Sequence, residues 1–417
     1  MNKKINKIEL LAPAGNYEKL EIAIHYGADA VYLADKEYSL RNFSGNFTHD
    51  ELDRAVKFAH EKGVKVYVAC NIYSRNSEQD NIENYLKFLG EIKPDAVIVA
   101  DPGIIMEAKN IIPNIPLHLS TQANTTNYKS ILFWKNFGVK RINAARELSL
   151  KEIKEFGRVS DMEIEAFVHG AMCISYSGRC LLSSFMTSRD SNHGMCAHPC
   201  RWKYHLVEEL RPGEYMPVYE DDKGSYIMNS KDLCMIEHIP EMIASNINSL
   251  KIEGRMKGIF YLAATVKTYR DAIDSYYDDP DNFVVKKEWI KNLAGVNNRG
   301  YSSGFYLEDS VQTIPEYNGS TPVEENGFLG KVLKIKSRKK VEIEVRNKII
   351  KDCPIEIISK KGPVSRDKIL AITDQDGNSL ATAQAGSRVT VDLIYEYLPN
   401  DIITVSFRQA CMKNKSG

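Results

Sequence analysis

The sequence predicts an α/β fold: a TIM-like (β/α)8 barrel with a cysteine-bearing insertion, followed by a small all-β barrel domain. Three observations predict it. Short apolar runs rich in β-branched residues recur eight times between residues 8 and 252, separated by helical stretches. Such alternation forces parallel pairing, and eight units in about 250 residues suit a closed barrel. No G-x-G-x-x-G follows the first run, which counts against the competing open, doubly wound sheet. After Pro322 the pattern changes to strict alternation, as in Val341-Glu342-Ile343-Glu344-Val345-Arg346, the period of a half-buried strand.

The strand candidates are Ile8–Leu11, Ala30–Leu33, Lys65–Ala69, Ala96–Ala100, Leu117–Leu119, Arg141–Ala144, Ile164–Val168 and Leu250–Ile252. Helices are expected at Tyr17–His25, Asp50–Glu61 and Asp80–Gly90; the last carries Ile82, Tyr85, Leu86 and Leu89 at helical spacing. Gly27 and Gly63 each stand between a helix and the next strand, as C-cap glycines do. A helix over 258–277 closes the barrel, with Phe260, Ala264, Val266, Tyr269 and Ile273 as its stripe. Between strands seven and eight lie roughly 80 residues, far more than a βα loop needs. The expected units are therefore a barrel over 1–280 with an insertion at 171–248, a hinge over 281–321, and a β-barrel over 322–410. In the last, further strands fall at Ile355–Ile358, Ser387–Leu393 and Ile402–Val405, and Asp376-Gly377 signals a hairpin.

Hydrophobic residues make up 43% and charged residues 26%, enough for a core that needs no disulfide staples. A net charge of +0 announces no nucleic-acid partner for the molecule as a whole. The basic N-terminus meets only a short apolar run before Pro13, which is not a signal peptide. No apolar run reaches membrane-spanning length. A cytoplasmic, reducing setting is expected, in which thiolates stay available as ligands.

In a barrel, chemistry sits at the C-terminal rim of the strands. Polar residues fall there: Asn16, Asp35, Lys36, Asn71, Asp101, Ser120, Gln122, Arg146, Glu147, His169, Glu253 and Arg255. Each alone reads as a helix cap or loop residue. Their joint position predicts a polar pocket.

Five of the eight cysteines lie between Cys173 and Cys234. Thiols gathered in an intracellular chain point to a metal or an iron–sulfur cluster. Structural zinc wants close ligand pairs, and among these five only Cys196 and Cys200 meet that. A cluster takes four thiolates from scattered positions, here Cys173, Cys180, Cys196 and Cys234, with Cys200 as the alternative to Cys196. Unligated buried thiols are the plainer reading. A peptidase using Cys180 with His169 or His198 also stands open, although neighbouring thiols are poor surroundings for one selective nucleophile.

Longer motifs carry a resemblance. Glu165-Ala-Phe-Val-His169-Gly170-Ala-Met-Cys173 and Ser177-Gly-Arg-Cys180-Leu-Leu-Ser resemble the signature of the collagenase-like peptidase family U-32. Leu11-Ala-Pro-Ala-Gly15, Arg146-Glu-Leu-Ser149, Asn229-Ser-Lys-Asp-Leu233, Lys251-Ile-Glu-Gly-Arg255 and Arg299-Gly-Tyr301 agree with it. The likeness spans essentially the whole chain. The C-terminal β-domain resembles the branch of bacterial tRNA uridine 5-hydroxylation proteins.

That resemblance implies oxygen-independent hydroxylation assisted by a [4Fe–4S] cluster on Cys173, Cys180, Cys196 and Cys234. In this branch the product is 5-hydroxyuridine at the tRNA wobble position, and prephenate is the co-substrate. Other branches hydroxylate a 23S rRNA cytidine or a ubiquinone precursor. Arg146 and Arg255 are then candidates to hold a carboxylate-bearing donor, because guanidinium binds carboxylate bidentately; the plainer reading pairs them with Glu147 and Glu253. Glu165 and His169 are candidate proton-transfer groups, and His169 reads equally as a packing residue.

Nine basic residues against two acids lie between Lys331 and Lys351. On composition this is a solvated strand face. Under the resemblance, Lys334, Arg338, Lys339 and Lys340 are candidates to hold phosphates while the anticodon loop presents its base to the barrel mouth. Tyr301, Phe305 and Tyr306 are expected either to stack on that base or to pack between domains.

Overall fold

The computed structural model describes residues 7–36, 46–159, 161–173, 177, 180–187, 189, 196–199, 206–207, 215–216, 231–307 and 326–406. Seven strands come first: β1 (Glu9–Pro13), β2 (Ala30–Ala34), β3 (Lys65–Cys70), β4 (Ala96–Val99), β5 (Leu117–Leu119), β6 (Arg141–Asn143) and β7 (Glu163–Ala171). Between them run α1 (Tyr17–His25), α2 (His49–Glu61), α3 (Gln79–Ile92), α4 (Pro102–Ile111), α5 (Tyr128–Asn136) and α6 (Leu150–Val159). The insertion supplies α7 (Leu182–Thr187), a hairpin of β8 (Leu206–Val207) and β9 (Tyr215–Met216), and β10 (Asp232–Cys234). Then α8 (Ile239–Ala244) leads to β11 (Ser249–Ile252), the eighth barrel strand, and α9 (Ile259–Asp278).

Neighbouring barrel strands pair in parallel, and β11 closes the ring on both β1 and β7. The expected eight-stranded barrel is therefore the observed one. Helix starts follow sequence chemistry. Asn16 caps α1 through Lys19 N, Thr48 and Glu51 form a capping box on α2, and Asp101 caps α4 through Gly103 N and Ile104 N. Asn16 and Asp101, two of the rim candidates, are thus accounted for as caps.

Three departures matter for the site. First, β7 runs to Ala171, past the expected end at Val168, so His169 lies within a strand. Second, β10 branches off the barrel antiparallel to β7, setting Cys234 opposite His169 and Asp232 opposite Ala171. Third, residues 281–307 are no free hinge. Trp289, Leu293, Val296 and Tyr306 sit in the barrel's own core, α10 (Lys287–Ala294) packs there, and β12 (Tyr301–Ser302) extends the sheet beside β10. Tyr306 donates to Phe167 O and Tyr301 to Leu293 O, each at 2.7 Å, so these two aromatics act in packing, whereas Phe305 is exposed.

The C-terminal unit is an antiparallel half-barrel. Its strands are β13 (Asn326–Ser337), β14 (Lys340–Val345), β15 (Ile349–Ile350), β16 (Pro354–Ile358), β17 (Ser365–Lys368), β18 (Ala371–Thr373), β19 (Ser379–Leu380), β20 (Thr382–Ala383), β21 (Arg388–Asp392) and β22 (Ile402–Ser406). The order in the main sheet is β17-β16-β22-β13-β14-β21-β18-β19. The Asp376-Gly377 hairpin joins β18 to β19, as its turn chemistry requires.

This unit lies along α1. Lys331 and Arg346 reach Glu18 in the first turn, at 2.8 and 2.7 Å. At the far end Tyr26 donates to Ile358 O at 2.6 Å and accepts from Ile402 N at 3.1 Å, while His25 meets Asp401 at 2.9 Å.

Candidate functional site

The barrel interior holds a charge network that sequence reading did not single out. Arg141 Nη1 lies 2.6 Å from Glu9 Oε1 and 3.6 Å from Glu165 Oε2. Lys251 Nζ lies 2.8 Å from Glu165 Oε1, and both residues are buried. Tyr67 and Ser249 donate to Glu9 at 2.7 and 2.8 Å. Burial would raise the Glu9 pKa, but Arg141 outweighs it and holds the carboxyl below its usual range. The signal was available: Glu9, Arg141 and Lys251 are charges within otherwise apolar strand runs.

Above this network sits the mouth. The Arg146 guanidinium stacks over Phe167 at 4.0 Å, and its Nη1 lies 3.8 Å from Cys173 Sγ. Lys251 lies over Tyr32 at 4.4 Å. Burial pushes the Lys251 pKa down, Glu165 opposes this, and Arg146 and Arg255 add to the lowering. The two arginines and the buried ammonium therefore share one electrostatic field. Arg255 is buried, and its carbonyl accepts from Lys19 Nζ at 2.7 Å. Lys19 of α1 and Arg255 after β11 thus lie side by side at the rim.

Glu147 has a different job from the expected bridge to Arg146. Its Oε1 accepts from Ser177 N at 3.0 Å and Asn124 Nδ2 at 2.8 Å, and its Oε2 accepts from Ser177 Oγ at 3.1 Å. It pins Ser177 to the rim. Asn71 and Gln122 bond each other at 2.8 Å.

His169 is buried among Tyr261, Tyr269 and Tyr301. Burial pushes its pKa down to about 3, so the imidazole is neutral. Tyr269 OH donates to Val168 O at 3.0 Å, accepts from Met235 N at 3.1 Å, and lies 3.3 Å from His169 Nδ1 and 3.6 Å from Cys234 Sγ. With the hydroxyl proton given to Val168, His169 Nδ1 carries the hydrogen toward Tyr269, which leaves Nε2 as a bare acceptor. Glu165, the other proton-transfer candidate, has its carboxylate held between Lys251 and Arg141.

The His-Gly and Glu-Gly-Arg motifs have one shared cause. Gly170 has φ +111°, and a Cβ there would fall 2.5 Å from Glu253 O; Gly254 has φ +150° against the Tyr261 ring. Only glycine lets the two backbones meet below the mouth.

None of the four favoured cysteines is in a disulfide. Cys173 is exposed beside Arg146, Cys180 and Cys196 are half-buried, and burial pushes the Cys234 thiol up to about 11. Cys200 lies outside the described residues. As a donor set, four thiols suit an iron–sulfur cluster. Among the described residues, no three His, Cys, Asp or Glu side chains are grouped to hold a metal ion.

The basic strand is largely neutralised in three dimensions. Lys334 and Lys336 pair with Glu342, Arg338 with Glu396, and Lys340 with Asp392. Lys331 and Arg346 serve the domain contact. Of the four residues expected to hold phosphates, Lys339 is left without a carboxylate among the described residues.

A (β/α)8 barrel with a thiol-bearing insertion at its mouth and a β half-barrel docked on its first helix defines the class of this protein. Residues 15–314 match peptidase family U32 and residues 324–404 match the peptidase family U32 C-terminal domain; the chain belongs to that family. It is 44% identical over 382 residues to the Bacillus subtilis (strain 168) "tRNA hydroxylation protein P1", covering 91% of this chain and 90% of that protein. It is 37% identical over 400 residues to the Escherichia coli (strain K12) "tRNA hydroxylation protein P", covering 86% and 88%. It is 31% identical over 346 residues to the "Collagenase" of Porphyromonas gingivalis (strain ATCC BAA-308 / W83), covering 80% and 82%. No described helix is long and apolar enough to cross a membrane.

Proposed function

We propose that this chain is a cytoplasmic iron–sulfur enzyme that hydroxylates tRNA. Its reaction converts the wobble uridine of the anticodon loop to 5-hydroxyuridine, without oxygen and with prephenate as co-substrate. Relatives named as tRNA hydroxylation proteins support the substrate class. The observation that carries the chemistry is Arg146 at the mouth, stacked on Phe167 with its Nη1 3.8 Å from Cys173 Sγ, above the buried Lys251–Glu165 pair.

Each chain residue then has a task. Arg146 and Arg255 receive the carboxylates of the dianionic co-substrate. Arg146 is held flat by Phe167, so little orientational freedom is lost on binding. Glu165 keeps Lys251 charged and in place beneath them. Glu147 holds Ser177, three residues before Cys180. His169, neutral and bonded to the Tyr269 hydroxyl, holds or accepts a proton beside Cys234.

Cys173, Cys180, Cys196 and Cys234 are assigned as cluster ligands, Cys200 being the alternative to Cys196. The bound cluster supplies one-electron chemistry. Lys334, Arg338, Lys339 and Lys340 are assigned to the RNA backbone, with Lys339 the most available.

Deleting the gene and digesting total tRNA for nucleoside mass spectrometry tests the reading. Loss of 5-hydroxyuridine derivatives is expected, and also in a strain unable to make prephenate. Unchanged levels overturn it, and loss of a hydroxylated cytidine from 23S rRNA redirects it to that substrate. A peptidase reading has support from the relation to the Porphyromonas collagenase. Gelatin degradation that disappears in Cys180→Ala favours it instead.

A further inference from the structure

A cleft of about 640 Å³ opens on the C-terminal half-barrel between residues 359–365 and 395–401. It is lined by Lys360, Lys361, Gly362, Tyr395 and Leu398, among others. Tyr395 is 56% exposed and Leu398 49%. Lys360 and Lys361 are exposed, and among the described residues neither ammonium has a carboxylate partner.

Both walls are fixed from within. Buried Asp367 accepts from Ile394 N at 2.9 Å, Tyr395 N at 3.1 Å and Tyr397 OH at 2.8 Å. Buried Asp401 accepts from Leu398 N at 2.9 Å, Ser359 Oγ at 3.0 Å and Lys360 N at 3.3 Å. The acids at the cleft are thereby occupied: Asp401 also meets His25, and Glu396 meets Arg338. What faces outward is two unneutralised ammonium groups and an exposed phenol on a rigid frame. The hairpin tip adjoins it, since Leu393 N donates to Lys339 O at 2.9 Å.

The cleft's place along α1 matters. Glu18, at the mouth end of α1, contacts Lys331 and Arg346; His25, at the other end, contacts Asp401. Glu18 and His25 are seven residues apart, and at 1.5 Å per residue this sets the cleft about 10 Å further from the mouth than those contacts. An RNA whose loop enters the mouth and whose stem lies along the half-barrel passes over the cleft.

We propose that this cleft, beyond the hairpin residues Lys334, Arg338, Lys339 and Lys340, grips the backbone of structured RNA. Lys360 and Lys361 take phosphates, and the Tyr395 hydroxyl meets a ribose 2′-OH, the contact that separates RNA from DNA. This rests on the reading of tRNA as substrate and goes beyond it by naming a holding surface remote from the chemistry.

The test measures binding of a tRNA transcript to the full chain across a potassium chloride series. Wild type is compared with the double variant Lys360→Ala/Lys361→Ala, with Tyr395→Phe, and with Lys87→Ala as a control on the barrel flank. The double variant is expected to bind more weakly, with the slope of log K against log salt reduced by about 2, one per lysine. Tyr395→Phe is expected to leave that slope unchanged and to narrow the preference for RNA over the same sequence in DNA. Matching circular dichroism melts confirm that the variants are folded. If wild type binds tRNA and the double variant matches it in affinity and slope, the cleft proposal is overturned, the tRNA reading survives, and the patch is left to a protein partner. If wild type itself binds no tRNA and gene deletion leaves tRNA nucleosides unchanged, both fall.

Discussion

Removing Lys251 separates fold from function in a way the structure makes quantitative. At 2.8 Å from Glu165, the gross attraction is about 6 kcal/mol at an effective dielectric of about 20. Desolvating two ions offsets most of that, so the intact pair is worth little net. Lys251→Met, however, leaves the Glu165 carboxylate buried with only Arg141 at 3.6 Å for compensation, and breaking a buried pair costs about 3–5 kcal/mol. Glu165→Leu costs as much, because it strands an ammonium in the field of Arg141, Arg146 and Arg255. The double variant Lys251→Met/Glu165→Leu removes both charges while Arg141 keeps Glu9 and Glu163, and it is expected to recover at least half of the loss. With roughly 2.1 cal/mol/K per residue over a barrel of roughly 300 residues, 4 kcal/mol corresponds to a fall of about 6 °C in Tm. Differential scanning calorimetry of the four proteins reads the cycle. Activity is read beside it, and there the double variant is expected to stay low, because the cation beneath the donor site is gone. A Lys251→Met protein melting within about 1 °C of wild type refutes the buried-pair argument. A stable double variant with full activity refutes the role of Lys251 at the mouth.

Three further outcomes are expected. Gly170→Ala costs roughly 3 kcal/mol or more, because φ +111° and a 2.5 Å approach to Glu253 O compound each other; a denaturant midpoint near wild type contradicts this. Glu18 has its pKa depressed, since Lys331 and Arg346 outweigh the raising effect of burial. Its contribution to domain docking is therefore fully present above about pH 4.5 and lost as pH falls through the lower folded value; Glu18→Gln should flatten the acid limb of the melting profile. Anaerobically purified protein should contain iron and acid-labile sulfide in equal amounts, lost in Cys173→Ala and kept in Cys353→Ala; colourless wild-type protein holding zinc removes the cluster assignment.

All eight barrel strands were legible because each buries a short, mostly apolar run between helical stretches, and that alternation declares itself without tertiary information. The half-barrel's hairpin was legible for a similar reason, since Asp-Gly carries its own backbone preference. What stayed hidden depends on partners distant in the chain. β7 reads as ending before Gly170, because glycine is a poor strand residue, yet the backbone contact with Glu253 makes that glycine necessary. β10 is three residues long, too short to show any period. The excess of charge between Lys331 and Lys351 is largely neutralised because counter-charges sit on neighbouring strands, on the loop at Glu396, and on α1 at Glu18. The mouth was half legible: Arg146 and Arg255 were visible as motif residues, while Lys251 was not. Yet Lys251 illustrates a rule that runs from sequence to site. A barrel strand that places a charge at an inward position must find its counter-charge on another inward position. The three such charges on β1, β6 and β11 are Glu9, Arg141 and Lys251, one acid and two bases. Neutrality therefore demands one more inward acid, and Glu165, in the motif that ends at Cys173, is the residue that supplies it. The motif thus ties the electrostatics of the barrel floor to the thiol at its mouth.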